Sequence, residues 1–266
     1  VLGYFAPDIR ASQFQKLMPE LKPEQLPILK YNSKNPEQEP SYVDFSHPEA
    51  KEFIRRYLKE ALDLGVAGSM VDFGDMVPDE AMFYNGKGGA EMHNFYSYEY
   101  HKTISEAYRE MRGNDFILYG RAAAPGGQKW VGQFAGDHSG NFEGLKACLY
   151  GALNLSAAGY SNWGSDVCGY FGTPEPGVYM RWFQFACFSP IWRPHGKAST
   201  REPWDYGDAA VTNYKFLAWT RENIVNYVYN AAVTTNETGT PIMRSMPMSF
   251  PGEQAVAGIE NQYMFG

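Results

Sequence analysis

The sequence is poor in several features that mark common protein classes. Its 266 residues include only three cysteines, none in a CxxC pair, so neither a disulfide framework nor a cysteine zinc site is expected. No apolar run approaches the roughly 18–20 residues of a membrane-spanning helix, so no membrane span is expected. Basic residues are outnumbered, with 23 Lys and Arg against 30 Asp and Glu and a net charge of −7. This balance argues against a nucleic-acid partner, which requires a basic face.

Several catalytic signatures are absent as well. The sequence has no P-loop, no GxGxxG dinucleotide motif, no HExxH zinc motif and no GxSxG nucleophile elbow. Residues 72–74 match the kinase DFG tripeptide, but no HRD-type catalytic loop accompanies them, so a kinase is not indicated. Aromatic residues, in contrast, make up 16% of the chain. Such a surplus suits a large core and also a pocket that stacks on the apolar faces of sugars.

Short β-type runs alternate with helical patterns along the chain, which predicts repeated βα units. A Pro-rich connection through residue 40 follows the first strand, and a capping box at residues 46–49 is predicted to start the first helix. A Thr173 N-cap is predicted to start a later helix. The predicted strands are 1–5, 68–72, 116–119, 132–135, 158–166 and 188–192, and the predicted helices are 46–65, 92–112, 142–158, 173–185 and 208–232.

Six βα units in about 230 residues imply a parallel sheet, either doubly wound or closed as a barrel. In a βα barrel the carboxyl ends of the strands converge on one face, whereas a doubly wound sheet concentrates function at one switch point. Polar residues at five predicted strand ends therefore favour the barrel. The fold predicted is α/β, a (β/α)8 TIM barrel that lacks its first two strands. The five polar residues are Asp72, Arg121, Asp137, Asp166 and His195.

Asp72 and Asp137 are the candidate catalytic residues. Glycoside hydrolysis uses two carboxyl groups, of which one attacks or assists and the other donates a proton. The neighbouring Phe73 and Phe134 offer the apolar surroundings that keep a carboxylic acid protonated near neutral pH. The alternative is that each Asp caps the following helix or makes a loop turn. The spacing alone leaves both interpretations open.

The order and spacing of several motifs carry more information than any one of them. The motifs are residues 70–75 (MVDFGD), Arg121, 134–137 (FAGD), 163–169 (WGSDVCG), 181–182 (RW), 193–196 (RPHG) and 262–266 (QYMFG). Together they resemble glycoside hydrolase family 31, of the α-glucosidase and α-xylosidase type. The resemblance implies that residues 1–266 are a partial catalytic barrel, with residues 240–266 leading toward a C-terminal β-sandwich outside the chain.

The resemblance also implies a retaining mechanism through a covalent glycosyl–enzyme. Asp72 resembles the family nucleophile and Asp137 the general acid/base. Alternatives remain for some of the other positions: a structural ion pair for Arg121, a buried histidine for His195 and core packing for Trp163. The residues that resemble substrate-binding positions are Arg121, Asp166 and His195 for sugar hydroxyls, and Trp163, Phe134 and Tyr4 for the aromatic pocket wall.

The substrate that the resemblance implies is a carbohydrate, an α-glycoside, with no metal or organic cofactor. Met70 stands where bacterial α-xylosidases often have Lys, and Asp75 stands where many members have Glu. Met70 and Tyr170 are similar to sulfoquinovosidases, so that activity is an alternative, as is an α-transglycosylase on the same residues. A noncatalytic carbohydrate-binding relative is the alternative from another class. The sequence alone does not predict the oligomeric state.

Overall fold

The computed structural model of the chain describes residues 2–31, 42–197 and 199–266. They form two compact units, Val1–Gly132 and Gln133–Gly266. Residues 32–41 of the predicted Pro-rich connection, and residue 1 of the first predicted strand, lie outside the described residues. No helix in the described ranges combines the length and the apolar character needed to cross a membrane.

The first unit contains three short parallel strands. Tyr4 lies opposite Met70, and Met70 lies opposite Tyr119, so the three strands run side by side in sequence order. This pairing brings the carboxyl ends of the strands to one edge, because neighbouring parallel strands end on the same side. The strands are β1 (Gly3–Phe5), β2 (Gly68–Val71) and β3 (Ile117–Gly120).

Helices cover the strands of the first unit with apolar side chains. The predicted period is present in the second of them, where Phe53, Ile54, Leu58 and Leu62 are buried. Phe14, from a short helix that the sequence analysis did not predict, stacks on Phe53 with ring centroids 4.1 Å apart. The helices are α1 (Ala11–Leu17), α2 (Ala50–Asp63) and α3 (Gly89–Arg112).

The second unit repeats the pattern with three more parallel strands. Gly164 pairs with both Phe134 and Ile191, which places the middle strand between the other two. An antiparallel pair follows, in which Arg244 lies opposite Met264. The elements are β4 (Gly132–Phe134), α4 (Phe142–Ala157), β5 (Trp163–Val167), α5 (Pro176–Cys187), β6 (Ile191–Pro194), α6 (Asp208–Thr238), β7 (Met243–Ser245), α7 (Met246–Ser249) and β8 (Tyr263–Phe265).

Two predicted helix starts were wrong. Helix α2 begins at Ala50 with Glu49 at its N-cap, because the Ser46 hydroxyl instead donates to Asp44 Oδ1 at 2.7 Å and closes a turn. Helix α5 begins at Pro176, so a second proline occupies the first turn that Pro174 was predicted to fill.

Two further features differ from the prediction, the start of one strand and the segment between two others. Strand β6 begins at Ile191 rather than at residue 188. The amides of Phe188 and Ser189 still bond to the carbonyls of Phe185 and Ala186, and this prolongs the turn after α5. Strands β3 and β4 are joined through a short 3-10 turn, Gly127–Lys129, so the third of the six predicted βα units has no α-helix.

Candidate active site

The five polar residues predicted at strand ends occupy such positions. Asp72, Arg121 and His195 directly follow β2, β3 and β6, respectively. Asp166 is the fourth of the five residues of β5, and Asp137 lies three residues beyond the end of β4. Each therefore lies at the carboxyl end of a parallel strand, which is the end that carries the active site in βα barrels.

Neither candidate catalytic aspartate caps a helix. The helix that follows Asp72 begins at Gly89 with Gly88 as its N-cap. Helix α4, which follows Asp137, is capped by Asn141, whose Oδ1 accepts a hydrogen bond of 2.8 Å from the Gly144 amide. Helix capping, one of the two alternatives weighed from the sequence beside a loop turn, therefore accounts for neither carboxylate.

The first unit brings Tyr4, Asp72 and Arg121 together. The Tyr4 hydroxyl donates to Asp72 Oδ2 at 2.8 Å, and Arg121 Nη1 lies 3.6 Å from Asp72 Oδ1. Asp72 is only 8% exposed. Burial, followed by the hydrogen bond to Asp72, raises the pKa of Tyr4 above its ordinary value. The phenol therefore stays protonated and keeps donating to the carboxylate.

The backbone around Asp72 is held by the strand ladder and by one buried tyrosine. The Asp72 amide donates to Phe5 O at 2.8 Å, and the Tyr100 hydroxyl lies 3.2 Å from Phe5 O and 3.1 Å from Asp72 O. The next residue, Phe73, has a φ of +57°, which a non-glycine residue rarely adopts. At Gly74, with a φ of +88°, an added Cβ would lie 2.9 Å from Tyr100 Cδ1. A sharp turn therefore begins immediately after Asp72 and requires glycine at its second position.

Arg121 links two acidic residues and one aromatic ring. Its Nη2 lies 3.1 Å from Asp75 Oδ1, while Nη1 faces Asp72. Its Cζ lies 4.6 Å from the centroid of the Phe73 ring, within cation–π range. The structural ion pair weighed from the sequence is thus present, and the candidate nucleophile is one of its partners.

In the second unit, Arg193 joins Phe134 and Asp166. Arg193 Nη2 donates to Asp166 Oδ1, and Arg193 Cζ lies 5.1 Å from the centroid of the Phe134 ring. Asp166 is 2% exposed, so this pair is largely withdrawn from solvent. Arg193 belongs to the RPHG motif at residues 193–196, but no role was predicted for it from the sequence. Its position at the end of β6, two residues before His195, is the signal that could have identified it.

His195 and Trp163 have opposite environments. His195 is exposed and lies against Tyr170, with ring centroids 5.5 Å apart, so it is not the buried histidine of the alternative interpretation. Trp163 is fully buried and meets Phe185 of α5 edge-on at 6.0 Å. The structure thus places Trp163 in the core rather than at a pocket wall, because all five residues of β5 are buried and Trp163 packs toward the helix.

Asp137 is exposed on a loop that is tied to the loop after β5. The amides of Tyr170 and Phe171 donate to the His138 carbonyl at 2.8 and 3.0 Å. In return, the Gly140 amide donates to Phe171 O at 2.7 Å. The backbone on the C-terminal side of Asp137 is therefore fixed by the neighbouring loop.

The three cysteines are free and buried. Burial raises the pKa of Cys148 to about 12, so its thiol stays protonated and unreactive near neutral pH. Among the described residues, no group of three or more His, Cys, Asp or Glu side chains is arranged to hold a metal ion.

Comparison with known proteins gives consistent matches. An alpha-xylosidase of Emericella nidulans is 35% identical over 226 residues, which are 84% of this chain and 29% of the relative. Alpha-xylosidase XylQ of Lactiplantibacillus pentosus is 30% identical over 236 residues, 85% of this chain and 30% of the relative. The cycloalternan-forming enzyme of Listeria monocytogenes matches in structure with a TM-score of 0.89 at 25% identity, over 100% of this chain and 27% of that one. The chain thus spans less than a third of each of these relatives.

The family model of the TIM-barrel domain of glycosyl hydrolases family 31 matches residues 5–231. This match confirms the predicted fold class, and the six parallel strands among the described residues fit a fragment of that barrel. This chain is 35% and 30% identical to two enzymes of the predicted type, which confirms the resemblance seen in the motifs. The chain belongs to glycosyl hydrolases family 31.

Proposed function

We propose that the protein is a retaining glycoside hydrolase that cleaves terminal α-glycosidic bonds, of the α-glucosidase or α-xylosidase type. The observation that carries the proposal is the environment of Asp72. Its carboxylate is nearly buried, accepts a hydrogen bond from Tyr4 and faces the Arg121 guanidinium at 3.6 Å. These contacts orient the carboxylate, as the attack of a glycosyl nucleophile requires. The names of the two alpha-xylosidases support the substrate range.

In the first step, a carboxylate oxygen of Asp72 attacks the anomeric carbon of the terminal sugar. The bond from that carbon to the glycosidic oxygen breaks, and Asp137 gives its proton to the departing oxygen. The product is a glycosyl ester on Asp72. The location of Asp137 on an exposed but anchored loop suits a proton donor, because it must reach a substituent that leaves toward solvent.

In the second step, Asp137 takes a proton from water as the water oxygen attacks the same carbon. The ester bond to Asp72 breaks, and its carboxylate is restored. Two inversions at one carbon give net retention of configuration.

The remaining side chains would hold the sugar. Arg121, Asp166 and His195 are suited to bind hydroxyls, since paired hydrogen bonds from a guanidinium or to a carboxylate fix vicinal hydroxyl groups. Arg193 positions the Asp166 carboxylate through its direct hydrogen bond. Phe134 packs against the Arg193 guanidinium and supports it from one side.

The test is hydrolysis of a panel of aryl α-glycosides by the full chain: glucoside, xyloside, galactoside and sulfoquinovoside. Turnover of the glucoside or xyloside should fall by at least about 10³-fold in both Asp72→Asn and Asp137→Asn. Asp63→Asn, a change on the exposed surface of α2, is the matched control and should retain activity. Near-normal turnover by either active-site variant would contradict the proposal.

The same panel separates the alternatives. Preference for the sulfoquinovoside would indicate a sulfoquinovosidase. Transfer products formed with an excess of sugar acceptor would indicate a transglycosylase. Sugar binding without turnover of any substrate would indicate a noncatalytic carbohydrate-binding protein.

A further inference from the structure

A cavity of about 460 Å³ in the second unit joins His195 to a tryptophan that has no role in the steps above. Its volume lies within the range of about 300–1,000 Å³ typical of small-molecule sites. The residues that line it and enter the argument are His195, Gly196, Arg201, Glu202, Trp204 and Tyr214.

We propose that Trp204 is a stacking platform for a second sugar residue of the substrate, on the leaving-group side of the sugar held at His195. The assignment of sides rests on the proposed function, in which His195 contacts the terminal sugar. A terminal sugar has its next neighbour only on the leaving-group side, so a second unit in the same cavity must belong to the leaving group.

Trp204 is exposed on a turn whose two ends are buried. Its side chain is 67% exposed, although it lies on a 3-10 turn, Pro203–Tyr206, whose first and last residues are buried. The Tyr206 hydroxyl donates to Thr200 O at 2.8 Å, and its ring stacks on Tyr179 at 4.2 Å. The backbone that carries the indole is therefore held, so ordering that backbone costs little conformational entropy when a ligand binds.

The buried side chain of Arg201 lines the cavity and is held in place by hydrogen bonds. It is 8% exposed, and its Nη2 donates to Gly169 O at 2.5 Å and to Gly172 O at 3.2 Å. Among the described residues, its Nε finds no hydrogen-bond acceptor. The chain just after His195 passes directly over this guanidinium, and a Cβ at Gly196 would overlap it. The cavity wall between His195 and Trp204 is therefore preformed.

The chemistry of the lining fits a neutral sugar. Arg201 and Glu202 supply one charge of each sign, so the lining does not select a strongly charged ligand. The indole of Trp204 offers an apolar face, and Glu202 offers an acceptor for hydroxyls. A pyranose ring presents the matching surface, with C–H groups on one face and hydroxyls around its edge.

The experiment compares disaccharides with methyl glycosides that lack the second unit. Calorimetric titrations use the full chain carrying Asp72→Asn, which prevents turnover. The ligand pairs are isomaltose with methyl α-glucoside, and α-xylosyl-(1→6)-glucose with methyl α-xyloside. For each pair, the ratio of the two affinities measures the contribution of the second sugar. The ratio is determined in the Asp72→Asn background and after adding Trp204→Ala, Trp204→Phe or Trp219→Ala.

Trp204→Ala should lower the ratio by about 3- to 10-fold in the pair that binds, while Trp204→Phe retains most of it because a ring face remains. Trp219→Ala is the matched control, since Trp219 is 63% exposed on α6 and lies outside the cavity lining, and it should leave the ratio unchanged. An unchanged ratio in Trp204→Ala, or no binding of either disaccharide to the background protein, would overturn the proposal.

The two proposals fail in different ways. If the chain with Asp72 intact hydrolyses none of the α-glycosides but binding still depends on Trp204, the hydrolase assignment fails and the platform stands. If hydrolysis proceeds and Trp204→Ala leaves the ratio unchanged, the platform alone fails.

Discussion

The Tyr4 hydroxyl donates a hydrogen bond of 2.8 Å to Oδ2 of Asp72, 68 positions away in the chain. The contact exists because β1 and β2 are parallel neighbours, with Phe5 opposite Val71 at their carboxyl ends. One oxygen of the carboxylate is thereby held by a phenol, while the other lies nearer the Arg121 guanidinium. The orientation of the proposed nucleophile depends on both contacts.

Tyr4→Phe should therefore weaken catalysis while keeping the ring. A hydrogen bond to a charged group contributes about 1.5–3 kcal/mol, so we expect kcat/KM to fall by roughly 10- to 100-fold. Steady-state kinetics on the best aryl α-glycoside measure the effect. Tyr84→Phe, at a tyrosine that is 63% exposed on another loop, is the control and should keep the parent rate. Equal rates in the two variants would show that the phenol has no part in orienting Asp72.

Asp75 should act through Arg121. Asp75→Asn removes the charge that lies 3.1 Å from Arg121 Nη2, so the guanidinium loses one of its acidic neighbours. We expect kcat/KM to fall by about 3- to 10-fold through lost positioning. The side chain of Asp75 is 42% exposed, so the ion pair should contribute less than about 1 kcal/mol to stability. Kinetics and thermal unfolding are measured together, and a loss of activity that merely follows a large drop in Tm would contradict this account.

The Asp166–Arg193 pair should be strongly coupled. Because Asp166 is 2% exposed, Arg193→Gln removes one charged partner of a buried carboxylate, and breaking such a buried pair costs roughly 3–5 kcal/mol. Asp166→Asn in the same chain should recover part of that loss. A double-mutant cycle by urea unfolding gives the interaction free energy. Additive effects of the two single changes would show that the pair is not coupled.

The positions of the strand ends, and with them most of the candidate-site residues, could be predicted from the sequence. Asp72 and Arg121 directly follow short β-type runs, so their location at one edge of a parallel sheet could be predicted. The contacts of these residues could not, because Tyr4 reaches Asp72 only through the register of two distant strands. The role of Arg193 could not be predicted for the same reason, since Asp166, to which it donates, lies 27 positions earlier.

Trp163 shows a second kind of feature that the sequence does not predict, which is the side of a fully buried strand on which a side chain lies. In a strand exposed on one face, alternation tells which side chains point inward. All five residues of β5 are buried, so the sequence holds no alternation that separates a core-facing Trp163 from a site-facing Asp166. The start of α5 was misplaced for a local reason, because Pro174 and Pro176 both suit a first helical turn and only packing decides between them.

His101 should make stability depend on pH. It is fully buried in α3, its Nε2 has no hydrogen-bond partner among the described residues, and burial lowers its pKa to about 3. The unfolded chain binds this proton near the ordinary pKa of about 6.5, so the contribution to stability is complete above that pH. It is lost as the pH falls from 6.5 toward 3, at about 1.4 kcal/mol per pH unit. His101→Leu should remove this dependence.

Urea unfolding at pH 6.5 and pH 5.0 checks the prediction. Between these values the parent should lose about 2 kcal/mol more than His101→Leu. His93→Gln, on the same helix but only partly buried, serves as the control and should keep the parent's pH dependence. The prediction is contradicted if His101→Leu shows the same pH dependence as the parent.

In the proposed mechanism, Asp72 forms a covalent bond to the sugar, and Asp137 transfers a proton in both steps, first as acid and then as base. The most direct test is mass spectrometry of Asp137→Asn mixed with a dinitrophenyl α-glucoside or α-xyloside. That leaving group needs no acid, whereas the second step lacks its base, so the intermediate should accumulate. We predict a mass gain of one glycosyl residue on the peptide that contains Asp72, absent when Asp72→Asn is added. Release of dinitrophenol without an adduct, or an adduct on another residue, would contradict the account.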